Sequence, residues 1–237
     1  MDQPKPLFEY TNYITSIEND FYDGIKDWLY DEGYYELEYA VKCSLIVIFL
    51  RTGKNLRHLN LDETIRNQLI FENLYENTNI TSINFYLTYS IFKSKAIDVL
   101  EKIRCKNSPL ETLDLRYNKF DQVKELADAL CKNNTLKYLY LYDNNFGPDV
   151  GKAFAKTLDK NTTLLSLDLS DNNLGSDGEK ALANALYKNT TLTLLYIRRS
   201  SLGSEEGKVF ANALCKNTVL TSLDLVVIIL IQKKEKH

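Results

Sequence analysis

The apolar positions of this chain fall into two alternating rhythms. In Leu164-Leu165-Ser166-Leu167-Asp168-Leu169, Leu167 and Leu169 alternate with polar residues, the period of a strand with one buried face. Asn172 and Leu174 follow, then a Gly175-Ser176-Asp177-Gly178 turn. Ala181, Leu182, Ala185 and Leu186 return at helical spacing and form an apolar stripe with small residues for close packing. Ser176 or Asp177 is placed to cap that helix. Lys188-Asn189-Thr190-Thr191 leads back to the next strand.

The unit recurs. Leu136, Leu164, Leu192 and Leu220 open successive copies 28 residues apart. Leu110 opens a copy 26 residues before Leu136, with Asn118 and Phe120 completing its pattern. Two looser copies precede it: Leu56-Leu59-Leu61 with a helix through Ile65, Leu69 and Leu74, and Ile80-Ile83-Phe85 with a helix around Ala96–Ile103. A period of this length marks stacked units, each touching only its neighbours. Strand and helix differ in width, so such a stack curves and its strands line the concave side.

LxxLxLxxNxL followed by GxxGxxALAxAL resembles the leucine-rich repeat, and its length and helical second half resemble the ribonuclease-inhibitor-like subfamily. The resemblance covers about residues 56–225. It implies an α/β solenoid, a curved horseshoe with a parallel β-sheet on the concave face and helices on the convex face. It also implies that Asn118, Asn144 and Asn172 are buried and bond the backbone of neighbouring turns, as a ladder. Ser200, Thr88 and Thr64 stand at that position elsewhere, and the ladder is expected to weaken there.

The segment before the array differs. Residues 1–20 hold Pro4 and Pro6 and show no period, so an irregular lead-in is expected. Phe21, Ile25, Trp28 and Leu29 predict one helix, which Gly33 ends; Tyr39, Val41, Leu45, Ile46 and Phe49 predict a second, more buried one. An open solenoid end exposes apolar cross-section, so residues 1–55 are expected to form a helical N-terminal cap, with 56–237 as the array. An effector or docking module is the rival, because the segment is rich in tyrosine (Tyr22, Tyr30, Tyr34, Tyr35, Tyr39) and acidic. It holds ten acids and five bases, against 22 and 24 in the rest.

A net charge of -3 gives no overall attraction for nucleic acid or an anionic membrane. The N-terminus lacks a signal-peptide pattern, and the runs Leu45–Leu50 and Val226–Ile231 are too short to span a bilayer. A cytoplasmic protein is expected. Cys105, Cys131 and Cys215 occupy one helical phase of their repeats. Cys131 and Cys215 stand three periods apart, beyond disulfide reach; pairing of Cys105 with Cys131 stays open, beside free packing thiols in a reducing compartment.

Chemistry-bearing motifs are sparse. His58 and His237 cannot build a histidine-rich site, although Cys43 or Asp62 could approach His58. No HExxH, CxxC pair or GxSxG occurs. No catalytic residue, metal or cofactor is expected. Gly147-Pro-Asp-Val-Gly151-Lys152 imitates a phosphate loop, but its glycines recur as Gly175/Gly178 and Gly203/Gly207 and read as repeat turns. Asn79, Asn133, Asn161 and Asn189 open glycosylation triplets, all in the phase just before a strand, which a repeat turn explains.

The strand face remains. Its columns run His58, Ser82, Thr112, Tyr138, Ser166, Leu194, Ser222; then Asn60, Asn84, Asp114, Tyr140, Asp168, Tyr196, Asp224; then Asp62, Tyr86, Arg116, Tyr142, Ser170, Arg198. Tyr117, Asp143, Asp171 and Arg199 lie beside the last. Tyrosine and arginine often carry interface energy. Arg116, Tyr117, Tyr138, Tyr140, Tyr142, Asp143, Asp168, Tyr196, Arg198 and Arg199 are therefore the expected partner-binding residues. Tyrosine also favours strands for its shape alone.

The last copy begins properly at Leu220 and then becomes VVIILIQKKEKH. A neighbouring reading frame of such a stretch can encode Gly-Asn-Asn-Ile-Asn-Ser-Lys-Lys, so the tail reads as a frameshifted, truncated repeat. The rival is a natural tail that self-associates through Val226–Ile231. The expected function is a non-enzymatic scaffold that binds a protein partner on its concave face. An Asn-, Lys-, Ile- and Tyr-rich composition adds a microbial effector acting in a host cytosol. The alternatives are a regulator of an enzyme, GTPase-activating (with Arg116 or Arg198 contacting the nucleotide) or inhibitory, and a substrate receptor of a ubiquitin ligase.

Overall fold

A computed structural model describes residues 11–62, 67–86, 97–99, 101, 109–119, 122–199 and 203–225. Thr64, Ile65, Thr88, Ala96, Ile103, Cys105, Phe120, Ser200, Val226–Ile231 and His237, like the lead-in prolines, lie outside these residues.

The described residues hold eight parallel strands in one open sheet, in sequence order. They are β1 (Ser16–Ile17), β2 (His58–Leu61), β3 (Ser82–Phe85), β4 (Thr112–Asp114), β5 (Tyr138–Tyr140), β6 (Ser166–Asp168), β7 (Leu194–Tyr196) and β8 (Ser222–Asp224). The helices are α1 (Asn19–Asp31), α2 (Glu38–Thr52), α3 (Gln68–Glu76), α4 (Val123–Lys132), α5 (Asp149–Leu158), α6 (Gly175–Leu186) and α7 (Ser204–Leu214). Strand, turn and helix alternate as the repeat predicts. The helix-facing strand residues Leu59, Leu61, Ile83, Phe85, Leu113, Leu139, Leu167 and Leu195 are each no more than 1% exposed.

The asparagine ladder is present. Asn118, Asn144 and Asn172 are buried. Asn144 Nδ2 donates to Leu115 O at 2.8 Å and Leu141 O at 2.9 Å, and its Oδ1 accepts from the Asn118 backbone N–H at 3.2 Å. Asn172 repeats the pattern one unit on, with Nδ2 to Leu141 O at 2.7 Å and Oδ1 accepting from Asn144 N–H at 2.9 Å. Turn groups that the strand leaves without partners are satisfied in this way.

A second ladder runs along the opposite turn. Asn161 Nδ2 donates to Leu130 O and Asn133 O, and its Oδ1 accepts from Thr163 and Leu164 N–H. Asn217 does the same two repeats later, while Asn189 and Asn77 keep the two Oδ1 bonds and donate Nδ2 to Leu158 O and Leu50 O. Three of the glycosylation triplets therefore open on buried structural asparagines: Asn133, Asn161 and Asn189.

Three expectations need correction. The stretch before α1 is not irregular throughout. Thr11–Tyr13 form a 3-10 turn, and β1 pairs with β2 through Ser16–His58 and Ile17–Leu59. Ile14-Thr-Ser-Ile17 copies Ile80-Thr-Ser-Ile83, so the sheet starts inside the segment assigned to the cap. In that segment Tyr22, Ile25 and Leu29 turn inward, while Trp28 and Tyr39 are exposed; Tyr22 donates its hydroxyl to Asn60 O and carries Lys42 over its ring.

Ser176 and Asp177 do not cap α6. The helix already starts at Gly175 and no side chain caps it. Ser176 Oγ bonds Glu206 of the next repeat, and Asp177 bonds Lys152 of the previous one. Gly151, Gly178 and Gly207 lie inside helices rather than in turns. A Cβ on Gly151 would stand 2.5 Å from Gly178 Cα, so these two glycines let α5 and α6 touch backbone to backbone. The phosphate-loop imitation is a helix contact.

Candidate functional site

Strand register brings the expected site residues together on one surface. Thr112, Tyr138, Ser166, Leu194 and Ser222 are aligned across β4 to β8, as are Asp114, Tyr140, Asp168, Tyr196 and Asp224. Adjacent strands lie about 4.8 Å apart, so each row is continuous. Backbone bonds carry the alignment past the strand ends, with Tyr117 N–H to Tyr142 O at 3.0 Å, Asp143 N–H to Ser170 O at 3.1 Å and Asp171 N–H to Arg198 O at 3.0 Å.

The charged groups are mostly matched. Arg116 grips Asp114 with both ends of its guanidinium, Nε to Oδ1 at 3.0 Å and Nη2 to Oδ2 at 2.6 Å, and lies 5.6 Å from the Tyr140 ring centroid. The bond to Asp114 raises the Arg116 pKa. Burial first, then the Asp114 charge, push the Tyr140 hydroxyl up from its ordinary value. Arg198 bonds Asp224, with Nε to Oδ2 at 2.6 Å. Arg199 reaches Asp171 at 3.3 Å. The Asp171 carboxylate beside the Tyr142 hydroxyl raises its pKa. Tyr142 also meets Tyr117 edge to face at 5.1 Å. Tyr117, Tyr142, Asp171 and Arg199 thus form one chain of contacts across four repeats.

Tyr138, Tyr140 and Tyr196 are half-buried, whereas Tyr117, Asp143, Arg198 and Arg199 are exposed. Asp168 is half-buried, and its Oδ1 accepts from the Ser170 N–H at 3.0 Å. Tyr117, Asp143, Asp171 and Arg199 all hold left-handed backbone, with φ of 63°, 53°, 57° and 53°. The repeat demands this conformation whatever residue occupies it. Asparagine and aspartate tolerate it; tyrosine and arginine do so less readily.

Elsewhere the molecule offers less. A groove of about 270 Å³ between α4 and α5 includes Lys124, Asp128, Asp149, Lys152 and Lys156. Lys156 is tied to Asp128 and Lys152 to Asp177. Cys43, Cys131 and Cys215 are free thiols. Cys43 is buried, which raises its pKa, while bonds from Tyr39 and Asn67 oppose the shift; His58 stands exposed on its strand. Among the described residues, no group of three or more His, Cys, Asp and Glu side chains is arranged to hold a metal ion. Among them too, no helix is long and apolar enough to cross a membrane.

A family model of the leucine-rich repeat matches residues 106–122, 132–155 and 160–183. No curated protein sequence matches the chain. Among solved structures, leiomodin-1 actin-binding site 2 is 27% identical, with 60% of this chain and 82% of that one covered and a TM-score of 0.48. The tropomodulin C-terminal domain of Caenorhabditis elegans is 18% identical, with 62% and 90% covered and a TM-score of 0.51. The repeats, the eight-stranded parallel sheet and the second likeness together make the fold a leucine-rich-repeat solenoid.

Proposed function

We propose that this chain is a non-enzymatic scaffold that binds a protein partner through the concave, strand-lined face. One observation carries the reading. Register sets Tyr140 and Tyr196 in one row, Tyr138 and Tyr142 flank Tyr140 along the chain, and these four half-buried tyrosines stand beside Tyr117 and the three arginines. Aromatic and arginine side chains that are already partly ordered lose little entropy on docking. The sparse catalytic chemistry fits a binding role. The 28-residue unit with its helical second half supports a ribonuclease-inhibitor-like relationship. The composition supports a microbial effector that works in a host cytosol. The helices α1 and α2, stacked before the array, act in this reading as its N-terminal cap. A GTPase-directed arginine is less well supported, because Arg116 and Arg198 are both held by carboxylates of their own chain.

The test is affinity capture with the whole chain against a control altered on the helix face. Changing Tyr138, Tyr140 and Tyr142 to Ala is expected to remove the bound protein, while Lys124→Ala with Asp149→Ala leaves it. Unchanged capture by the tyrosine variant would defeat the concave-face reading.

A further inference from the structure

The central row of the sheet alternates acid and aromatic: Asp114, Tyr140, Asp168, Tyr196, Asp224. Its two outer aspartates each hold an arginine of this chain. Asp114 takes Arg116, two residues further along the chain and just past the end of β4, and that guanidinium also lies against Tyr140. Asp224 takes Arg198, which stands two residues after Tyr196. The middle aspartate differs. Two residues after Asp168 the chain has Ser170, which is small and buried. Ser170 bonds one Asp168 oxygen through its backbone N–H and brings no charge. Arg198 is near enough to feel Asp168, but its guanidinium is bonded to Asp224. Among the described residues no cation bonds Asp168.

We infer that Asp168, flanked by Tyr140 and Tyr196, is the seat for an arginine side chain of the protein partner. This rests on the concave-face reading and names the chemistry that reading leaves open. Register sets Tyr140 and Tyr196 on the two strands beside Asp168, each about 4.8 Å away across the sheet. A guanidinium attracted to a tyrosine ring within about 6 Å of its centroid is stabilised by the ring's quadrupole, and a carboxylate in the same seat adds a charge-assisted hydrogen bond. The Asp114–Arg116–Tyr140 group displays this arrangement with the protein's own arginine. At Asp168 the receiving half is present and the donor is not. Arginine fits better than lysine, because its flat fork bonds a carboxylate while its face lies on an aromatic ring.

The experiment is a titration of the full-length, ¹⁵N-labelled chain with N-acetyl-arginine methylamide, followed by NMR. The neutral citrulline analogue and the lysine analogue are run beside it. Saturable shifts are expected at the Ser170 amide, whose N–H bonds Asp168, with an affinity of roughly millimolar order for so small a probe. Asp168→Asn should weaken that affinity at least about tenfold, and Asp149→Asn, on the helix face, should not. Tyr196→Phe keeps the ring and should keep binding, whereas Tyr196→Leu should weaken it. Equal shifts with citrulline, tighter binding of lysine, or indifference to Asp168→Asn would each overturn the seat. If the arginine probe fails while capture still depends on the tyrosines, the seat falls and the concave face stands. If capture ignores the tyrosines while the probe binds Asp168, the concave face falls, and with it the assignment of this seat to a partner.

Discussion

Tyr117 holds a backbone conformation that suits the aspartates of its sister repeats better than an aromatic residue. Left-handed backbone costs a residue with a bulky side chain on the order of 1 kcal/mol. Its edge-to-face contact with Tyr142 returns about as much. The local balance is then close to even, so stability alone does not account for tyrosine at this position. Tyr117→Asn is expected to change unfolding free energy in urea by less than about 1 kcal/mol and yet to weaken capture of the partner. A loss of several kcal/mol would make Tyr117 a packing residue, and unchanged capture would remove it from the binding face. The composition of the face was legible residue by residue, because strand alternation alone assigns each side chain to one side of the sheet. Its electrostatics were not. Arg116, Arg198 and Arg199 look like free cations in the sequence, and only the fold shows Asp114, Asp224 and Asp171 holding them.

Between elements, the contact joining α6 to α7 centres on Glu206. Its carboxylate accepts from Ser176 Oγ at 2.5 Å and from the Gly203 backbone N–H at 2.9 Å, and Lys180 Nζ stands at 3.0 Å. The Ser176 bond first, then the backbone and Lys180, hold its pKa at about 2, against about 4.3 for an ordinary glutamate. A carboxylate depressed in the folded state stabilises it above the unfolded pKa, and that stability is lost as pH falls through the folded one. The urea midpoint should therefore fall between about pH 4.3 and pH 2. Asp177, lowered by Lys152, shares the sign, so the difference between wild type and Glu206→Gln isolates the effect. The variant should show the flatter pH dependence, and parallel curves would refute the coupling. The pattern placed Ser176 and Asp177 at a helix start correctly, but their side chains serve neighbouring repeats. Cap residue types are visible in a sequence; partners 30 residues away, as Glu206 is from Ser176, are not.

Across the whole molecule, the period exposed the architecture because every copy carries the same alternation, and errors in one copy are corrected by the others. It failed where copies are short. Ile14-Thr-Ser-Ile17 carries the signal of a repeat strand, but no turn Asn follows at the expected spacing, α1 starts sooner than a repeat's helix does, and α1 and α2 fill the interval to Leu56. A stack of this kind holds together through neighbours, so its stability should vary along its length. The turn ladder is present after β5 and β6, at Asn144 and Asn172, and the apolar core is complete from β5 to β7. Leu192, Leu195 and Ile197 are each 0% exposed. One repeat later Leu220, Leu223 and Leu225 are only partly buried. The Ser166 and Ser222 amides are matched probes of this difference, because each donates to the preceding strand in the same way, at 3.0 Å to Lys137 O and 3.1 Å to Thr193 O. Local hydrogen-bond geometry is therefore equal, and only the cost of opening the surrounding repeat differs. Native-state hydrogen exchange should be slower at Ser166 than at Ser222 by at least about tenfold, the ratio that a difference of ~1.4 kcal/mol in opening free energy produces. Equal rates would mean that the array opens as a single cooperative unit, and that the thinner packing around β8 leaves its stability unchanged.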